Sequence, residues 1–380
     1  MKFVIAPDSF KGSLTAKEVA LAIKEGISKI FPHALFELVP MADGGEGTVQ
    51  SLVDATHGTL IQKKVTGPLE NKVTATYGLL GDKKTAVIEM SEASGISYID
   101  KKTANPMITT TYGTGELIID ALNHDAQEII IGLGGSATND GGAGMAQAIG
   151  AKLLDSNGNN IAFGAKSLDK LSKIDCTDID KRLKHIPIKI AADVTNPLTG
   201  QNGASFIFGP QKGATPNVVR QLEKNMIHYS TILQESFHKN FADLSGAGAA
   251  GGLGAGLMAF TNASMANGIN IIINYTNLKK KIVNADFVFT GEGSVDFQTQ
   301  FGKTPFGVAK AAKSILPNIP VIVLTGKIGN DIDSLYQNNT FDAVFSTMNG
   351  PKNLEQAFKN SKQDISQTAE NVARLIHQLR

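Results

Sequence analysis

The chain has 380 residues, 42% of them hydrophobic, enough to bury a large core and, at about 100–200 residues per domain, to form two domains. Thirty-six basic residues stand against thirty-five acidic ones, so no long-range field exists to gather nucleic acid or anionic membrane, and a small molecule is the expected partner. The lone Cys176 excludes an intramolecular disulfide framework.

A reducing, cytoplasmic setting is expected. The apolar run Phe3 to Ala6 is too short for a signal-peptide core. Leu244 to Leu278 carries no Asp, Glu, Lys, Arg or His, yet its Gly, Ala, Ser and Asn content transfers weakly into lipid, so no membrane span is expected there.

Residues 2–6 predict a short buried strand. A loop PDSFKGSL follows, and Thr15 and Glu18 at capping-box spacing then open a helix carrying Val19, Ile23, Ile27 and Ile30, stopped by Pro32. A second apolar strand ends at Pro40. Residues 59–76 and 87–90 are strand-rich, Glu128 to Ile131 and Ile186 to Ala191 are further apolar runs, and Pro216 to Phe237 predicts a long helix. Towards the C-terminus, strands are predicted at 285–290, 321–325 and 343–346. A helix is predicted over 305–314, and a final amphipathic one carries Val372, Ile376 and Leu379. Such alternation predicts a parallel sheet with helices on both faces. The different middle predicts a second α/β domain over 65–284, inserted into a first built from 1–64 and 285–380.

Loops that follow strands are where open parallel sheets bind ligands. In Pro7 to Gly12, Lys11 can hold a phosphate and Asp8 can hold metal or hydroxyls, or the segment is an ordinary turn with solvated charges. In Met41 to Thr48, Asp43 and Glu46 are oxygen ligands of the kind Mg2+ prefers, or helix caps. Gly132, Gly134 and Ala137 match a dinucleotide fingerprint, so a nicotinamide-dependent oxidoreductase is one rival reading. The loop continues through Ser136, Thr138, Asn139 and Asp140, a density of hydrogen-bonding groups better suited to a polyhydroxy acid or phosphates. Gly246, Gly248 and Gly251 repeat the spacing with no strand before them, which suits close helix packing or an anion-binding helix start. Glu292 and Asp296 in GEGSVD are candidate ligands. Lys303 precedes a helix start, but Phe297 stands where a P-loop needs its first glycine. Asp193, ending the run before Val194 to Leu198, can deprotonate a hydroxyl or hold metal, or form an Asx turn before Pro197. No His/Cys cluster or GxSxG elbow supports zinc or elbow-type serine hydrolysis.

Six segments in order, APDSFKGSL (6–14), PMADGGEGT (40–48), GLGGSATNDGG (132–142), ADVTNPLTG (192–200), FGPQKGA (208–214) and TGEGSVDFQTQFGKTP (290–305), closely resemble the bacterial glycerate kinase family, with no departure at the motif positions. The resemblance spans nearly the whole chain. It implies ATP, Mg2+ and D-glycerate as the reacting set and phosphoglycerate and ADP as products, with a lean towards the 2-phosphate. It also implies a flavodoxin-like domain from both chain ends, an inserted domain of restriction-endonuclease-like fold, and a site in the cleft between them. No arginine lies in the motifs, so Mg2+, Lys11 and either Lys212 or Lys303 are expected to offset phosphoryl charge. Asp193 is the expected base. Asp43, Glu46, Glu292 and Asp296 are expected at the metal. Asp8, Ser9, Ser136, Asn139, Asp140 and Asn196 are expected at the substrate, and Gly134, Gly135, Gly291, Gly293, Lys212 and Lys303 at the nucleotide. A non-catalytic sugar-acid binding protein is the other rival. Oligomeric state is not legible.

Overall fold

The computed structural model describes residues 1–337 and 340–379. Thirteen described strands follow in chain order: β1 (Lys2–Ile5), β2 (Leu35–Leu38), β3 (Thr59–Thr66), β4 (Lys72–Leu79), β5 (Thr85–Glu89), β6 (Glu128–Gly132), β7 (Lys152–Leu154), β8 (Lys173–Asp175), β9 (Ile188–Ala191), β10 (Ala263–Ala266), β11 (Phe287–Val295), β12 (Val321–Ile328) and β13 (Ala343–Ser346). The chain divides into two compact units, one of Met1–Asp43, Gln50–His57 and Asn267–Arg380, the other of Gly44–Val49 and Gly58–Ala266.

The first unit holds a five-stranded sheet in the order β13-β12-β11-β1-β2, every pair parallel. Numbered by order within the unit this is 2-1-3-4-5, the flavodoxin arrangement, whose ligand crevice lies at the carboxyl ends of the strands where the winding reverses, here between β1 and β11. The helix Ala16–Ser28 starts at the expected capping box, with Glu18 N–H donating to Thr15 Oγ1 and Thr15 N–H to Glu18 Oε2. It buries Val19, Ile23 and Ile27 with Ile365, Ala369 and Ala373 of the helix Leu354–Gln378. The two backbones approach so closely that a Cβ on Gly26 would stand 2.1 Å from Ser366 O.

The second unit holds a six-stranded sheet in the order β10-β9-β6-β5-β4-β3. It is parallel from β10 to β5 and antiparallel at β5-β4 and β4-β3. A hairpin, β7 with β8, stands apart. Its core gathers Ile88, Ile129, Ile131, Ile188 and Ile190 of the strands with Leu222, Met226 and Tyr229 of the helix Pro216–Phe237.

The crossovers differ from those expected at 65 and 285. All eight residues of β3 pair with β4, so a break at 65 would cut a strand. On the return, Gly307 of the helix Thr304–Ile315 abuts Ile269, so the first unit resumes at Asn267. β11 also runs on past the expected Thr290, because Gly291, Glu292, Ser294 and Val295 continue the ladder with β12. Among the described residues no helix is long and apolar enough to cross a membrane.

Candidate active site

At the carboxyl ends of β1, β11, β12 and β13 the first unit opens a cavity of about 930 Å³. The loop after β1 contributes Asp8, Ser9 and Lys11, the segment after β2 contributes Asp43, and the end of β11 contributes Glu292, Gly293 and Ser294. Lys303 comes from the residue before the helix Thr304–Ile315. Four separate stretches of sequence therefore meet at the winding reversal.

Burial governs the charges here. Asp8 is 7% exposed, accepts from Ser9 N–H at 2.6 Å and from Thr304 Oγ1 at 2.5 Å, and is pushed up to about 6, first by burial and then by the neighbouring Asp43. Glu292 accepts from Thr299 Oγ1 at 3.1 Å and is pushed up to about 7 by burial, against the pull of Lys303, whose Nζ lies 3.6 Å away. Asp8 and Glu292 thus share a pocket that disfavours their charge, which a cation would restore. Among the described residues no three His, Cys, Asp or Glu side chains form a complete metal cage. Mg2+ needs none, since one or two carboxylates plus substrate phosphates and water complete its shell. Asp43 and Glu292 fit that demand. Of the other expected ligands, Glu46 is exposed on the second unit, and Asp296 caps the turn Phe297–Gln300 by accepting from Gln298 N–H at 2.9 Å.

The raised pKa of Glu292 has a definite sign for stability. Its native state holds a proton that the unfolded chain has already released between the ordinary carboxylate range and pH 7, so its contribution is lost as pH rises through about 7. Glu292→Gln should melt close to wild type at pH 5 and above wild type at pH 8, both without ligands. Differential scanning calorimetry at the two pH values measures this, and a gap that shrinks or reverses towards pH 8 would contradict it.

The second unit gathers the other expected residues at the ends of β6 and β9, with mixed results. Gly134 and Gly135 are exposed and Ser136 is 7% exposed. Gly134 packs beside Gly45, where an added Cβ would lie 3.1 Å from Gly45 Cα. Asp193 is exposed just past β9, and Asn196 donates from Nδ2 to Asn202 O at 2.8 Å. Asp140 is not open to a ligand. Fully buried, its carboxylate accepts from Thr111 N–H and Oγ1, Gly142 N–H and Gly144 N–H at 2.9–3.2 Å, so it braces the loop. Asn139, equally buried, donates to Ser205 Oγ. Lys212 is also wholly inside, donates to Thr138 O at 2.5 Å, and is held down to about 7 by burial although Asp140 opposes the shift. These are internal supports where substrate and nucleotide contacts were expected. Gly291 is another, since a Cβ there would stand 2.0 Å from Leu324 O inside the sheet, whereas Gly293 faces the pocket beside Lys11.

The dinucleotide reading loses its context here. After β6 the chain runs ten residues before the helix Ala143–Ala148 begins, whereas the fingerprint needs a glycine turn opening straight into a helix. Gly251 likewise serves packing: its left-handed backbone lies where a Cβ would reach within 2.0 Å of Thr138 O.

Three features escaped the sequence reading. Lys327, Thr347, Met348 and Phe358 complete the pocket wall from β12 to the last helix; the signal was that Gly326 and Lys327 directly follow the apolar run of β12. Lys352 also lines the wall, bonded to Asp364 at 2.5 Å. In the second unit, Glu89 ends β5, is 7% exposed, accepts from Val49 N–H at 2.9 Å and is pushed up to about 7 by burial. The apolar run of β5 does not by itself show that its last residue lies inside.

A winding reversal lined by lysines and buried carboxylates lies where the flavodoxin arrangement places its ligand crevice. Comparison with known proteins narrows the class. The family model described as "Glycerate kinase family" matches residues 3–377. "Glycerate kinase" of Bacillus subtilis (strain 168) is 49% identical, covering 98% of this chain and 97% of its own. "Glycerate 2-kinase" of Escherichia coli (strain K12) is likewise 49% identical over 98% of this chain and 97% of its own. A crystal structure from Salmonella typhimurium LT2, of a chain assigned to glycerate kinase 2, superposes with a TM-score of 0.91 at 48% identity, covering 100% of this chain and 98% of that one. The chain belongs to the glycerate kinase family and is a phosphotransferase of that family.

Proposed function

We propose that the chain transfers the γ-phosphoryl group of ATP to the 2-hydroxyl of D-glycerate, with Mg2+ bound beside Asp43 and Glu292. The observation that carries this reading is the pocket at the β1/β11 reversal, lysines facing buried carboxylates, in a chain matched by the family from end to end. The 2-position is supported by the Escherichia coli relative, named glycerate 2-kinase. Mg2+, when bound, supplies neutralisation of phosphate charge.

Lys11 and Lys303 draw the phosphate chain into the pocket and offset the charge that builds on the moving group. Asp193 takes the proton of the attacking hydroxyl. The hydroxyl oxygen bonds to the γ-phosphorus, the bond to the bridging oxygen breaks, and ADP leaves with that electron pair. Ser136, on the loop braced by Asp140 and Lys212, hydrogen-bonds the acceptor.

Purified chain given ATP, Mg2+ and D-glycerate should produce a phosphorus NMR doublet from coupling to the single C2 proton, the signature of a 2-phosphate. A triplet from the two C3 protons would reassign the position. ADP release independent of glycerate would reject the activity.

A further inference from the structure

The pocket of the first unit has both polar and apolar lining residues, and only the polar ones are used by the chemistry above. Besides Asp8, Asp43, Glu292 and Lys303, its lining includes Ile328 at the end of β12, Met348 after β13, and Leu354 and Phe358 on the last helix. Leu354, Phe358 and Ser361 recur at i, i+4 and i+7, one stripe of that helix. Further along, Ile365, Ala369, Val372 and Ile376 enter the core. The first turns therefore carry apolar side chains past the core and into the cavity, where Ile328, Met348 and Phe358 stay 38%, 37% and 41% exposed. Phe358 is held in place. Its ring lies against Gly12, where an added Cβ would come within 3.3 Å, and Ser13 Oγ and Ser361 Oγ hydrogen-bond at 2.5 Å beside it.

Glycerate has three carbons, a carboxylate and two hydroxyls, so it neither fills about 930 Å³ nor covers apolar wall. A flat heterocycle joined to a polyphosphate does both. The cations agree with this division. Lys303 faces Glu292 and Lys352 faces Asp364, whereas Lys327, which also lines the pocket, has no carboxylate partner among the described residues.

We propose that the apolar wall is the subsite for the nucleotide's purine base, laid on Phe358 and flanked by Met348 and Ile328, and that Lys327 contacts the phosphate chain. The assignment rests on the phosphoryl-transfer reading, and it makes Phe358 a residue that selects a base-bearing donor.

The test is calorimetric titration of the full chain with Mg-ATP and with Mg-tripolyphosphate, which carries the charge without the base. Loss of one base–aromatic stack weakens binding by about ten- to a hundred-fold. Phe358→Ala should weaken ATP by that factor, leave tripolyphosphate within about two-fold, and leave the KM for glycerate unchanged, while Phe358→Tyr retains ATP. Lys327→Ala should weaken both ligands. Should Phe358→Ala fail to fold, Met348→Ser carries the same expectation. Equal losses for ATP and tripolyphosphate in Phe358→Ala would mean a merely structural ring and overturn the subsite. Unchanged ATP affinity together with a changed mass by light scattering would show that a second copy covers this wall, and would overturn the subsite as well. A wild-type chain that binds ATP but makes no phosphoglycerate would sink the kinase reading while leaving the base subsite standing.

Discussion

Lys11→Ala is expected to cut the single-turnover rate by about 10²–10³-fold, the loss seen when one preorganised charge-stabilising donor is removed, while melting within about 1 °C of wild type. The two halves of this expectation have separate causes. Lys11 is exposed in the loop after β1, and surface substitutions away from caps and cores usually stay within about 0.5 kcal/mol. Lys11 nevertheless lines the pocket and acts on Asp8, whose pKa it pulls down against burial and Asp43. Without it, Asp8 holds its proton to higher pH, so the activity that survives should also show its acid limb displaced upward. Rapid-quench kinetics across pH 5–9 with a thermal melt in parallel would measure both. A folded variant with an unchanged single-turnover rate would show that Lys11 is only a solvated loop charge.

The sequence disclosed most where a local rule has one structural solution. The Thr15–Glu18 box starts its helix one residue on, and the helix Pro216–Phe237 has the expected bounds because Thr215 caps it, Pro216 suits its first turn, and His238 ends it in the left-handed conformation. The parallel sheet and the glycine-rich loops at its strand ends were legible for the same reason. What periodicity does not encode is which way a polar residue faces. Asp140 and Lys212 sit in segments as hydrophilic as Asp8 and Lys11, yet one pair braces a loop from inside and the other lines a pocket. Only the fourfold acceptance by Asp140 and the bond from Lys212 to Thr138 O separate them. Gly291 to Val295 read as a loop because glycines and acids depress strand propensity, but pairing with β12 overrides propensity. The apolar wall at Met348 and Phe358 was missed because it lies far along the chain from the motifs, and an exposed Phe on an amphipathic helix carries no signature of its own.

Asp193→Asn separates three roles that the position just past β9 leaves possible for a carboxylate. The substitution keeps shape and removes charge. If Asp193 accepts the hydroxyl proton, the variant should bind Mg-ATP and D-glycerate with nearly wild-type affinity while the chemical step falls by about 10²–10⁴-fold, the range for loss of a general base. Asp193 is exposed where parallel strands present ligands, and β9 is flanked on both sides by parallel partners, β6 and β10, which fix the strand end that delivers it. A metal ligand makes a different demand. The variant would then need more Mg2+, and activity would partly recover with excess Mg2+ or with Mn2+, an outcome at odds with the base role and with the placing of Mg2+ beside Asp43 and Glu292. A residue that only shapes the turn before Pro197 makes the weakest demand, because Asn forms the same local hydrogen bonds to backbone, and turnover would stay near normal. Single-turnover kinetics over a Mg2+ series, with equilibrium binding of both substrates, tells the three apart. The base role predicts intact binding, a slow chemical step and no rescue at any metal concentration.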